Sequence, residues 1–205
     1  MNVSQQEAAG APAPEEIIEF WRIAGRDKWF SRDDEFDGQI RELFLPLHEK
    51  AARGELDHWE ETPTGALTLL LLLDQFPRNM FRGQARAYAT DEAALALAER
   101  ALDQGHDRAT PLELRRFFYM PYMHAEDLEN VLRSETLFKN LLDEEGVHYA
   151  RLHVDLIDRF GRFPHRNEAL GRKTTPEEQG FIDQGGYEGW DEGGAAAHSP
   201  VPMSS

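Results

Sequence analysis

The sequence predicts an all-α protein of about eight helices stacked as antiparallel hairpins, and a few features lead there. Apolar residues recur at helical spacing: Phe36, Ile40, Leu43, Phe44 and Leu47 fall at i, i+4, i+7, i+8 and i+11, one face of a helix. Helix-start signatures recur as well, three of them a Thr followed by a Pro. Strand-like alternation of useful length is missing from the chain.

The first helix is expected over 14–24 and the second over 34–52, where Pro46 should kink or end it. Thr62-Pro63 opens the third, over 63–76: the hydroxyl supplies the N-cap acceptor, and Pro at N1 lacks only a donor the helix leaves unpaired. Thr90-Asp91-Glu92 starts a helix over 91–104, with an apolar face of Leu95, Leu97, Ala98, Ala101 and Leu102 and Gly105 as its stop. Thr110-Pro111 starts 111–120, with Glu113 placed to complete a capping box. Helices at 125–132, 135–144 and 147–160 follow, then a short one from 176 behind Thr175-Pro176, boxed by Glu178. Short links make neighbours in sequence antiparallel neighbours in space.

Length and charge bound the rest. The 205 residues carry Lys+Arg 22 against Asp+Glu 38, a net charge of −16. That length fits one helical domain, expected over 14–182, between an Ala/Gln/Pro-rich tail at 1–13 and an acidic, Gly-rich tail at 183–205. Tyr187 and Trp190 are the tail side chains able to dock locally. The acidic balance argues against nucleic-acid or anionic-membrane binding. The absence of cysteine excludes a disulfide framework, a thiol nucleophile and thiolate metal sites. Residues 1–14 have neither a basic stretch nor an apolar core, and the longest apolar run, 66–73, is far short of the roughly 20 residues that span a bilayer. A cytoplasmic location is therefore expected. No phosphate-binding Gly-rich loop or nucleophile elbow is present, and no cofactor is expected.

The charge is not uniform. Residues 76–86 hold Arg78, Arg82 and Arg86 and no acid, and residues 151–173 sum to +3. Each island contains a similar phrase, an acid followed by Phe-Pro and Arg-Asn: Asp74-Gln75-Phe76-Pro77-Arg78-Asn79, and Asp158 through Phe163-Pro164-His165-Arg166-Asn167. In one reading these phrases end helices, with Asp74 or Asp158 pairing with an arginine across the packing. In the other, Arg78, Arg82, Arg162 and Arg166 converge on a carboxylate or phosphate ligand, with Asp74, Asn79, His165 and Asn167 beside them. A basic island in an acidic protein needs either acids of its own chain or a ligand.

On a helical wheel of 147–160, His148, Arg151, Asp155, Asp158 and Arg159 share a polar arc, and His153 falls in the apolar one. His153 is either a hydrogen-bonded core histidine or a general base. Its expected partners lie in Pro121-Tyr122-Met123-His124-Ala125-Glu126-Asp127, where His124, Glu126 and Asp127 form a candidate acid–base cluster. The acids also suit a plain helix-start role. His148 and His153 point about 140° apart on one helix, so no metal site is assigned.

The phrases Leu73-Asp74-Gln75-Phe76-Pro77-Arg78-Asn79-Met80-Phe81-Arg82-Gly83, Pro121 to Leu128 and Arg159 to Asn167 together resemble a bacterial family catalogued as domain of unknown function 924. Ile18-Glu19-Phe20-Trp21 and Leu170-Gly171-Arg172 to Glu178 are similar to its pattern too. The resemblance spans roughly 15–182 and implies an all-helical domain similar to tetratricopeptide-repeat folds, with no assigned activity. Ala125 stands where the family commonly has Ser, and Arg172-Lys173-Thr174-Thr175 where it has Arg-Glu-Ser-Thr.

Several functions fit these observations. One is a binding protein whose Arg/His-lined groove holds an anionic small molecule or an acidic peptide, with a homodimer possible. The alternative is a hydrolase-type enzyme in which His153 and the His124/Glu126/Asp127 cluster act on a phosphate- or carboxylate-bearing metabolite. In a third reading the arginines are cross-helix struts.

Overall fold

The computed structural model describes residues 12–186, and all of its regular structure is helical. Tyr187, Trp190 and most of the expected tails lie outside the described residues. The helices are α1 (Pro14–Trp29), α2 (Asp34–Ala52), α3 (Pro63–Leu70), α4 (Phe76–Met80), α5 (Asp91–Asp103), α6 (His106–Ala109), α7 (Met120–Met123), α8 (Leu128–Leu141), α9 (Glu144–Phe160) and α10 (Pro176–Asp183). Among the described residues no helix is long and apolar enough to cross a membrane.

α1 and α2 pack on α3 and α4, α5 lies against α3, and α8 and α9 make the most extensive pairing. The core centres on Trp21, fully buried, with the rings of Trp29, Phe36, Phe76 and Phe117 at centroid distances of 5.8, 6.0, 5.4 and 5.7 Å. A smaller cluster of Val131, Leu156, Ile157 and Phe163 joins α8 and α9 to the chain that follows them.

Several element boundaries differ from expectation, each for a local reason. α1 regains a helical turn after Gly25, which breaks it at φ 73°, so the expected end at 24 marks the break. α2 runs through Pro46: the carbonyl deprived of a partner belongs to Glu42, and both residues face solvent, where water can satisfy it. The helices expected at 125–132 and 135–144 are one, α8, since no Gly or Pro interrupts the stretch and the Ser134 hydroxyl donates to the Val131 carbonyl at 2.7 Å. α8 and α9 then approach so closely that a Cβ at Gly146 would run into the Phe138 ring.

Of the expected N-caps, Thr62 and Thr175 accept from the Gly65 and Glu178 amides at 3.1 and 3.2 Å. Thr110 does not cap: its hydroxyl donates back to the His106 carbonyl, and 112–118 winds as a 3₁₀ helix instead. Thr90 is likewise diverted, to the Leu73 carbonyl at 2.5 Å. That carbonyl is available because Pro77, four residues on, has no N–H to give it. The same constraint widens Leu71–Gln75 into a π turn between α3 and α4.

Replacing Thr90 by Val keeps the shape and leaves the buried Leu73 carbonyl unpaired. We expect a loss of about 1–3 kcal/mol, seen as a fall of roughly 3–10 °C in melting temperature.

Candidate functional site

Asp74 and Gln75 lie in the π turn, in a stretch buried on every face, and Asp74 is 1% exposed. His124, just past α7, donates from Nδ1 to Asp74 Oδ1 at 2.7 Å. Gln75 Nε2 donates to Asp74 Oδ2 at 2.5 Å. Arg78 Nη1 lies 2.7 Å from the Asp74 carbonyl oxygen and 3.2 Å from its Oδ1. The same guanidinium grips Asp91 bidentately at 2.9 and 3.0 Å, and Arg166 adds a bond to Asp91 Oδ2 at 3.1 Å. Arg166 lies against the rings of Tyr88 and Phe163, 4.6 Å from each centroid. The anion on which Arg78 and Arg166 converge is thus Asp91 of the chain itself.

Burial works to raise the Asp74 pKa, but Arg78, His124 and Gln75 hold it below the usual carboxylate value. Burial pushes Asp91 above its usual value, against the pull of Arg78 and Arg166. His153 is also buried, and its Nδ1–H donates to the Tyr149 carbonyl one turn back at 2.7 Å, not into 121–127. From that segment the His124 ring lies alongside, with centroids 6.3 Å apart. Burial holds His153 well below its usual pKa, so it is neutral at physiological pH.

The remaining candidates sit in flanking ion pairs. Arg82 pairs with Asp37 at 2.5 and 3.0 Å, and Asn79 Nδ2 donates to the same carboxylate at 2.8 Å. Arg162 grips Glu178 at 2.6 and 2.8 Å, and Asn167 Nδ2 approaches Glu178 at 3.3 Å. Glu126 pairs with Arg172 at 2.6 and 3.0 Å and accepts the Phe163 amide at 2.7 Å. Asp127 caps α8 through the Asn130 amide. Neither acid joins His124, whose carboxylate partner is Asp74. His165 lines a separate, larger surface pocket with Glu168, Thr174 and Phe181. Asp158, on the exposed face of α9, does not repeat the part of Asp74.

The polar centre opens on a small cleft lined by Trp29, Phe30, Gln75, Arg78, Asn79, Met120 and His124. It is narrow, with room for water-sized groups. Asp91, Asp37, Gln75 and Tyr88 were not among the candidates from sequence. Asp91 read as a helix-start acid, and only its position after a capping Thr set it apart. Among the described residues no group of three or more His, Asp or Glu side chains is arranged to hold a metal ion.

The chain matches the model of a family of bacterial proteins of unknown function, DUF924, over residues 17–186. It is similar to a solved protein of unknown function, ATU0120 from Agrobacterium tumefaciens, at 47% sequence identity and a TM-score of 0.81; the match covers 83% of this chain and 97% of that one. No curated protein matches the chain.

Removing Arg166 takes one of two guanidiniums from a carboxylate held inside the protein. Arg166→Ala should cost about 3–5 kcal/mol, read as a lowered denaturation midpoint. Glu178 supplies a pH dependence, because hydrogen bonds from Arg162 pull its pKa from 4.5 to about 2. Its contribution is complete above the ordinary carboxylate range and is lost as pH falls from about 5 to 2. The loss should reach no more than about 3 kcal/mol, and Arg162→Ala should flatten the stability profile over that window.

Proposed function

The chain belongs to the DUF924 family of bacterial proteins of unknown function, and from the cleft geometry we propose that it is a hydrolase-type enzyme with His124 as the acid–base group. One observation carries the reading: His124 lines the cleft while its Nδ1 is committed to Asp74 at 2.7 Å. A carboxylate only accepts, so in the neutral form of the ring the proton sits on Nδ1 and the lone pair on Nε2. The space in the cleft suits a water. A water there gives its proton to Nε2, its oxygen attacks the substrate's electrophilic centre, and the imidazolium returns the proton to the leaving group. Asp74 stabilises that imidazolium and fixes the ring's orientation, the part a third group plays in nucleophile–base systems.

This reading keeps His124 from the sequence-based cluster and exchanges Glu126 and Asp127 for Asp74. His153 supports the site as packing beside the His124 ring. The reading of an Arg/His-lined groove for an anionic small molecule or acidic peptide has less behind it. Arg78, Arg82, Arg162 and Arg166 are each bonded to a carboxylate of the chain, which accounts for the basic islands without a ligand.

The test is turnover of small esters, amides and phosphate esters by the whole protein. His124→Gln should cut the rate by about 10²–10⁴-fold, and Asp74→Asn should lower it as well by releasing the tautomer. ¹⁵N spectra of the histidine rings should find His124 protonated on Nδ1. Hydrolysis unchanged in His124→Gln, or a proton on Nε2 at neutral pH, overturns the assignment.

A further inference from the structure

Two amide side chains share the cleft with His124, and their orientation is fixed by chemistry. Gln75 Nε2 donates to Asp74 Oδ2 and Asn79 Nδ2 donates to Asp37 Oδ1, at 2.5 and 2.8 Å. A carboxylate has no proton to give, so these contacts identify the nitrogen end of each amide. The oxygen ends, Gln75 Oε1 and Asn79 Oδ1, are left for the cleft that both residues line. Among the described residues neither oxygen receives a hydrogen bond, and neither is sealed from solvent. Both side chains are themselves deeply buried, at 6% and 5% exposure. With the His124 Nε2 lone pair, the cleft offers three acceptors.

Charge narrows the complement further. Arg78, Arg82 and Arg166 are matched by Asp74, Asp91 and Asp37, so the formal charge around the cleft is zero. An anion entering it would set its lone pairs against those acceptors, and the Arg78 guanidinium on the wall is already engaged by Asp74 and Asp91. A cation would exchange its hydration for apolar walls of Trp29, Phe30 and Met120 beside the Arg78 guanidinium. An uncharged –NH₂ group brings N–H donors to the amide oxygens and no desolvated charge. We infer that the cleft selects a small uncharged molecule bearing an –NH₂ group, in its simplest form a primary carboxamide. The small size of the cleft limits it to a few heavy atoms. The inference rests on this cleft being the functional site; it does not require His124 to act as a base.

Binding is read on the Trp29 indole N–H, which donates to the Trp21 carbonyl at 2.6 Å on the cleft wall. The probes are acetamide, acetate and methylammonium, each titrated into the ¹⁵N-labelled full chain at matched ionic strength. Acetamide should move the Trp29 indole resonance saturably, and the two ions should bind at least about tenfold more weakly. Asn79→Leu, which removes one acceptor, should weaken acetamide by about tenfold; the wild-type probe series decides the matter if that variant does not fold. Acetate or methylammonium binding as tightly as acetamide overturns the inference, as does no saturable acetamide shift up to roughly 0.1 M. Acetamide bound while no ester, amide or phosphate ester is hydrolysed supports this inference and removes the acid–base role. Hydrolysis of esters lost in His124→Gln, without acetamide binding, does the reverse.

Discussion

Asp91 is the point on which the inner polar structure depends. It receives the guanidiniums of both basic islands, one from α4 and one from the 3₁₀ turn after α9, and so ties the first half of the chain to the second. Taking ions out of water costs several kcal/mol each, and the mutual attraction returns it only where geometry and remaining hydrogen bonds are good. Here the bidentate grip on Asp91, the carbonyl of Asp74 and the flanking rings of Tyr88 and Phe163 fill those requirements. The gain over an apolar core of equal volume is small, and what the arrangement does secure is register. Shifting α4 by one residue would separate Arg78 from Asp91 and leave charges buried without partners.

That register begins with Pro77. Its missing N–H leaves the Leu73 carbonyl without an intrahelical donor, the turn before it opens into a π turn, and Thr90 supplies the bond from the start of α5. Thr90 and Asp91 therefore act as a pair: one completes the backbone of the turn, the next completes its side-chain charge. Asp74 and Gln75 lie in that turn, within a stretch of chain, 65–81, that is buried on every face, so both are enclosed although adjacent in sequence.

The helices were legible in the sequence because their periodicity is local, and the Thr-Pro starts at 62 and 175 were legible for the same reason. Thr90 and Thr110 misled because a hydroxyl with a carbonyl in reach bonds there in preference to capping, and that carbonyl's position is a tertiary fact. The basic islands were legible as clusters, and their neutralisation was not. Arg82 finds Asp37 at a separation of 45 residues and Arg166 finds Asp91 at 75, so charge counted in a window reports neither. His124 stood out through its neighbours Glu126 and Asp127, whereas its actual partner came from the phrase around Pro77. The phrases mark where these polar residues lie along the chain, and the pairing between phrases comes from packing.

The buried histidines illustrate why partner type, and not burial alone, separates a structural ring from a chemical one. His48, His106 and His153 each place a ring nitrogen on a backbone carbonyl, of Leu72, Glu60 and Tyr149. A carbonyl is a dipole that fixes a tautomer but offers little to an imidazolium, and burial accordingly lowers the pKa of His48 and His153. His124 places its nitrogen on a carboxylate that is held ionised by Arg78. That carboxylate gives the ring the capacity to be held in one tautomer and orientation by a full charge and not by a dipole. Sitting at the cleft rather than behind it, His124 joins that capacity to access, and the two together distinguish it from rings buried equally well elsewhere in the fold.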